Sequence, residues 1–235
     1  MDDYLSEKEQ WEALKGWLRE NGAWIVAGVA VGVLAIFGWQ WRNGHVDKVS
    51  GEASAKYEQM LQAFARNDQS GGLAILGDLE RDYSSTPYVD QGRLAAARVY
   101  VENNQLDKAV KELQAVVQDS KDKQLALVAR LRLARVQIAQ QKPDEALATL
   151  NGVDPGSFAP RFHEVRGDAA LAKGDKSGAL SEYRAARSLD LAAGAAGGGD
   201  SLLDLKISDL VADAAPLAAA AKAPSAPNAQ TQATK

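Results

Sequence analysis

LDKAVKEL, at residues 106–113, returns as PDEALATL at 143–150 and KSGALSEY at 176–183. In each copy a small residue (Ala109, Ala146, Ala179) stands four positions before a large one (Leu113, Leu150, Tyr183). Twelve positions upstream of each alanine lies another small residue: Ala97, Ala134 and Gly167. Small residues at these points let two antiparallel helices touch, and the large residue fills the groove beside them. From Ala109 to Ala146 is 37 residues and from Ala146 to Ala179 is 33. A near-constant spacing of this size marks an array of helical hairpins.

Outward from the repeats, residues 53–190 show helical periodicity and no convincing strand pattern. Loop punctuation pairs the segments as hairpins at 53–66 with 72–83, 88–102 with 106–118, 123–140 with 143–151, and 160–173 with 176–189. Pro87, Pro143 and Pro160 stand at or just before helix starts, where a missing N–H is tolerated. The spacing is close to the tetratricopeptide period of about 34 residues, although the first hairpin fits this register poorly. A tetratricopeptide-like domain is therefore expected over 43–191. The stretch 192–200 (AAGAAGGGD from 192) reads as a flexible linker and not a phosphate loop, since no Lys-Ser/Thr follows it. The amphipathic segment 201–213 reads as the cap such arrays need, and the Ala/Pro-rich tail 214–235 as disordered.

Before the repeats, AWIVAGVAVGVLAIFGWQW (23–41) runs nineteen residues without a charge. As a helix it would rise roughly 28 Å, near the ~30 Å hydrocarbon core of a bilayer. Trp24 at one end and Trp39 and Trp41 at the other suit the headgroup zones. A single transmembrane helix is expected over 22–42. A cleaved signal peptide is disfavoured by the acidic lead-in and by the length of the apolar run. Gly28, Gly32 and Ala35 share one face and form a candidate contact for another membrane helix. Residues 1–21 read as a short cytoplasmic or interfacial amphipathic helix, with Ser6 and Glu9 as a capping box and Gly22 as its stop. Its stripe of Trp11, Leu14, Trp17 and Leu18 suits either the membrane surface or a docking partner. Three Lys/Arg flank each end of the span (Lys8, Lys15, Arg19; Arg42, Lys48, Lys56), so charge counting leaves the orientation open.

The 235 residues carry a net charge of −4 and no cysteine. No basic patch suggests nucleic acid, and no cofactor motif is present. His45 and His163, without cysteines, do not form a metal-ligand pattern. Converging polar groups of the kind an enzyme needs are absent from the motifs, so a non-catalytic role is expected. The array instead offers a concave surface lined by the first helix of each hairpin. Arg98, Arg135 and Asp168 fall at one register position, eleven residues before each alanine. Gln91, Glu102, Arg161 and Glu164 fall at neighbouring groove-facing positions, and together these seven form the candidate partner-binding groove.

The chain resembles the YfgM family, the ancillary subunit of the SecYEG translocon in Gram-negative bacteria. The resemblance rests on E-N-G at 20–22, G-V-x-x-G-V at 28–33, F-G-W-Q-W at 37–41, L-R-L-A-R-V-Q at 131–137, V-R-G-D-A-A-L-A-K-G-D-K-S-G-A at 165–179 and L-D-L-K-I-S-D-L at 203–210. The Ala/Pro tail is extra, and the glycine-rich stretch is longer than the family pattern. The resemblance implies a single-pass inner-membrane protein with a cytoplasmic N-terminus and a periplasmic repeat domain. It implies the SecYEG translocon and the periplasmic chaperone PpiD as partners, and a role in passing emerging chains to chaperones. It also links the segment 1–21 to a cytosolic stress-response regulator. A regulator acting through that tail, or a general envelope or division adaptor, stands as the alternative.

Overall fold

The computed structural model describes residues 7–193 and 201–221. The fold is all-α among these residues: nine α-helices and one short 3-10 turn. They are α1 (Glu7–Ala65), α2 (Gln69–Asp82), α3 (Tyr88–Glu102), α4 (Leu106–Asp119), α5 (Lys123–Ala139), α6 (Pro143–Leu150), α7 (Ala159–Ala172), α8 (Lys176–Ala192) and α9 (Ser201–Ala221). Consecutive helices pair as hairpins, α1 with α2, α3 with α4, α5 with α6 and α7 with α8, and α9 packs on α8.

The repeat is visible in the backbone. At each hairpin turn one residue takes the left-handed conformation: Asn67 (φ 61°), Asn104 (φ 56°), Gln141 (φ 62°) and Gly174 (φ 83°). The following amide bonds back across the turn, Asp68 to the Ala63 carbonyl, Gln105 to Tyr100, Lys142 to Gln137 and Asp175 to Ala170, at 2.7–3.0 Å. This pairing satisfies carbonyls that a helix end would otherwise orphan. The first hairpin, expected to fit the register poorly, thus shares the same turn. Gly72 takes the place of the repeated alanine, 37 residues before Ala109, and Met60 takes the place of the upstream small residue. The exchange works because the half-buried Phe64 ring lies where a side chain on Gly72 would project.

Ala109, Ala146 and Ala179 are fully buried, as are Leu150 and Tyr183, and Leu113 is nearly so. The buried side chains fall into three successive clusters along the array. The last joins Ala179, Tyr183 and Ala186 of α8 to Leu203, Ile207 and Leu210 of α9. Each repeat therefore shields the face of the one before it, and α9 shields the last.

Two expected boundaries change. No break occurs at Gly22: α1 is one helix of 59 residues from Glu7 to Ala65. A single glycine costs a helix only about 1 kcal/mol, and in an apolar stretch the helix is what keeps the backbone groups satisfied. Ser6 of the expected capping box lies outside the described residues. At the other end α9 continues past 213 to Ala221, through alanines of high helix propensity. Residues 194–200 of the expected linker and 222–235 of the tail lie outside the described residues.

The stretch Gln10–Gln40 of α1 is long and apolar enough to cross a membrane, and none of its most apolar window is buried within the protein. Trp24, Val26, Leu34, Phe37 and Trp39 are all more than 65% exposed. Such an uncovered apolar surface is what lipid would cover.

Candidate partner-binding site

The seven groove candidates do not form one surface. Four of them come together around a residue that the motif reading passed over, Lys206 of α9. Its Nζ lies 2.9 Å from Glu164 and 2.7 Å from Asp168, both on α7. It also stands 5.4 Å from the centre of the Tyr183 ring on α8. The Tyr183 hydroxyl donates to Asp168 at 2.7 Å. Arg161 donates to Glu164 at 2.9 Å, and Arg135 of α5 approaches the same carboxylate at 3.9 Å. Arg187 of α8 and Asp204 of α9 add a pair at 3.1 Å.

This cluster joins elements rather than awaiting a ligand. Glu164 is only 4% exposed, so it is not an open groove charge. Burial works to raise its carboxyl, but hydrogen bonds from Lys206 and Arg161, with the charges of Lys206 and Arg135, outweigh that and hold it below the ordinary glutamate range. For Lys206, burial works downward, and the bonds to Asp168 and Glu164 more than offset it, so the ammonium stays charged above its ordinary range. The Tyr183 hydroxyl is pushed upward by burial and by the Asp168 acceptor, and it remains a donor.

The pH dependence follows from these directions. The depressed Glu164 carboxyl adds stability that is present above its unfolded value and lost as pH falls through its lower folded value. The raised Lys206 contribution is complete below its unfolded value and disappears only as pH rises through its higher folded one. Docking of α9 is thus expected to hold across the neutral range and to weaken in acid below the ordinary glutamate range. Amide hydrogen exchange of residues 202–212 should report it, and Glu164→Gln should flatten the acid limb. An unchanged acid limb in that variant would contradict the assignment.

The other part of the groove remains open. Arg98 and Glu102 of α3 pair with each other at 2.7 Å, and both are exposed. They rim a depression of about 420 Å³ between α3 and α5, whose wall includes Arg132, Arg135 and Val136 of α5 and whose floor includes Ala97 and Leu113. Gln91 lies about two turns before Arg98 on α3, outside both groups. Arg135 stands at the border, lining the depression while reaching toward Glu164.

Lys206 had a sequence signal. Leu203, Ile207 and Leu210 form the apolar stripe of the cap, and Lys206 falls on that stripe, three residues after Leu203. A lysine on a buried stripe calls for a buried acid. Arg132 carried no comparable signal. In α1, Gly28, Gly32 and Ala35 are exposed, and among the described residues no other part of the protein packs against either glycine. His163 pairs with Glu182 at 2.7 Å. Among the described residues no three His, Asp or Glu side chains gather as metal ligands.

A span-length apolar helix that runs unbroken into a capped array of four helical hairpins defines the class: a tetratricopeptide-like protein with an N-terminal membrane-type helix. A family described as tetratricopeptide repeat-like domain matches residues 15–212. The ancillary SecYEG translocon subunit of Escherichia coli (strain K12) is 34% identical over 185 residues, covering 79% of this chain and 89% of that protein. Its namesake in Haemophilus influenzae is 30% identical over 183 residues, covering 78% and 89%, and that of Neisseria gonorrhoeae is 27% identical over 184. The chain belongs to the family of ancillary SecYEG translocon subunits.

Proposed function

We propose that this protein is a non-catalytic, inner-membrane scaffold that works beside the SecYEG translocon, with its N-terminus cytoplasmic and its repeat domain periplasmic. The observation that carries the reading is kinship to proteins named as translocon subunits over 79% of the chain. In this reading α1 does two jobs. Its apolar part fixes the molecule in the bilayer, and its end is the first helix of the array, with Ala53, Met60 and Ala63 buried in the repeat core. Between Trp41 and Ala53 the helix would carry the array roughly 18 Å from the span. A stiff post of this kind holds the groove near the channel exit and raises the local concentration of a bound periplasmic chaperone there. The open groove of Arg98, Glu102 and Arg135, with Gln91 beyond it, would take that partner, and Gly28, Gly32 and Ala35 would face a membrane helix.

Site-specific photocrosslinking tests this in native membranes. A probe at Ala35 is expected to capture a translocon subunit, and one at Arg135 a periplasmic chaperone. Absence of any translocon adduct from Ala35, with the protein abundant, would overturn the reading. Asp47→Pro, in the exposed part of α1 beyond the span, should keep the Ala35 adducts and redistribute those from Arg135. A proline there removes a helix hydrogen bond and costs about 3 kcal/mol of helix stability.

A further inference from the structure

The seams between successive first helices differ in charge, and one of them is unbalanced. Where α7 meets α9, Lys206 sits between Glu164 and Asp168. Where α5 meets α7, Arg135 faces Glu164. Where α3 meets α5, the repeat register puts Arg98 at the position of Asp168, and α5 answers with Arg132 and Arg135. The one carboxylate lining this seam, Glu102, is already bonded to Arg98 on its own helix. Among the described residues Arg132 has no carboxylate within 4 Å, and Arg135 has only the long contact to Glu164.

The floor of the same seam is apolar for a register reason. Ala97 and Leu113 stand where Gly167 and Tyr183 stand in the last repeat. There the tyrosine fills the space and its hydroxyl reaches Asp168. Leucine is shorter and has no hydroxyl, and a depression lies over it at the α3–α5 seam, with Val101 41% exposed beside it.

We propose that this seam docks an acidic, apolar peptide segment of a partner protein. An aspartate or glutamate of the segment enters among Arg98, Arg132 and Arg135, and a neighbouring apolar side chain rests on the exposed Val101, at the depression lined by Leu113 and Val136. Charge complementarity selects this occupant: three guanidiniums line a seam whose one carboxylate is committed to Arg98, Arg135 has only the long contact to Glu164 beyond it, and a guanidinium pairs best with a carboxylate in a two-point hydrogen bond. The inference rests on the scaffold reading and names the chemistry of the partner it would hold.

The test uses the full-length chain in nanodiscs of zwitterionic lipid and a fluorescein-labelled peptide of alternating leucine and glutamate, followed by anisotropy. The glutamate peptide is expected to bind about tenfold more tightly than its leucine–glutamine counterpart, with the difference shrinking as salt rises. Arg98→Gln with Arg132→Gln should abolish the preference while leaving the thermal melt in place, since both side chains are exposed. Arg132→Gln alone should reduce it. Equal binding of the two peptides, or a preference that survives both substitutions, overturns the proposal. So does an arginine-dependent attachment to phosphatidylglycerol vesicles without peptide binding, which would make the seam a lipid-facing surface. The titration needs no translocon, so its failure would leave the Ala35 crosslinking result untouched.

Discussion

Tyr183→Ala is expected to destabilise the repeat domain by about 3–5 kcal/mol, the range for removing a buried large aromatic side chain. Tyr183 is fully buried, and its ring lies where a side chain on Gly167 would project. The same ring faces Lys206, and its hydroxyl serves Asp168. The substitution therefore opens a cavity between α7 and α8 and removes one wall of the α9 seat. Tyr183→Phe keeps the ring and loses one hydrogen bond, with a cost of about 1 kcal/mol. Urea unfolding measures both, and an alanine variant no worse than the phenylalanine one would contradict this account. Repeat arrays hold together through nearest-neighbour contacts, so hydrogen exchange in the alanine variant should rise first in α7–α9 and last around Met60 and Leu79.

Lys206→Glu is expected to release α9 from the array. The substitution sets a third carboxylate against Glu164 and Asp168, which Lys206 now holds at 2.9 and 2.7 Å. Breaking a buried ion pair and leaving charge uncompensated costs roughly 3–5 kcal/mol, comparable with what burying Leu203, Ile207 and Leu210 contributes at about 1.5–3 kcal/mol each. Limited proteolysis should then cut between Leu203 and Leu210, which are buried in the folded chain. Lys206→Met keeps the apolar stem and leaves Glu164 with Arg161 and Arg135, so a milder loss is expected. A double-mutant cycle with Glu164→Gln isolates the coupling between the two charges. Wild-type protease resistance in Lys206→Glu would show that apolar packing alone holds the cap.

The array was legible from a few residues. Alanine, a large residue four positions on, and a small residue twelve positions back gave three hairpins, because close helix crossings restrict side-chain size at fixed points. The first hairpin broke that pattern with Gly72 and Met60 and still adopts the same turn at Asn67. Its register is carried by backbone geometry that several residue types can satisfy, so composition hid it. Gly22 and the alanines after 213 misled in the opposite direction. By local signals Gly22 is a stop and the stretch after 213 is disordered, whereas a helix already under way tolerates one glycine and is favoured by alanine.

The candidate site was legible only as a set of charges at one helical position. Arg98, Arg135 and Asp168 are equivalent in the repeat, yet one rims an open seam, one stands at its border and one is locked beneath the cap. The partner that separates them, Lys206, is 38 residues from Asp168 and 42 from Glu164. Sequence by itself determined the helices, their period, the apolar span and the family, because side-chain spacing along a helix acts locally. Tertiary structure alone decided which charges are neutralised and which stay available. That choice depends on how neighbouring helices rotate against one another and on where a distant cap returns, and burial then amplifies each pairing.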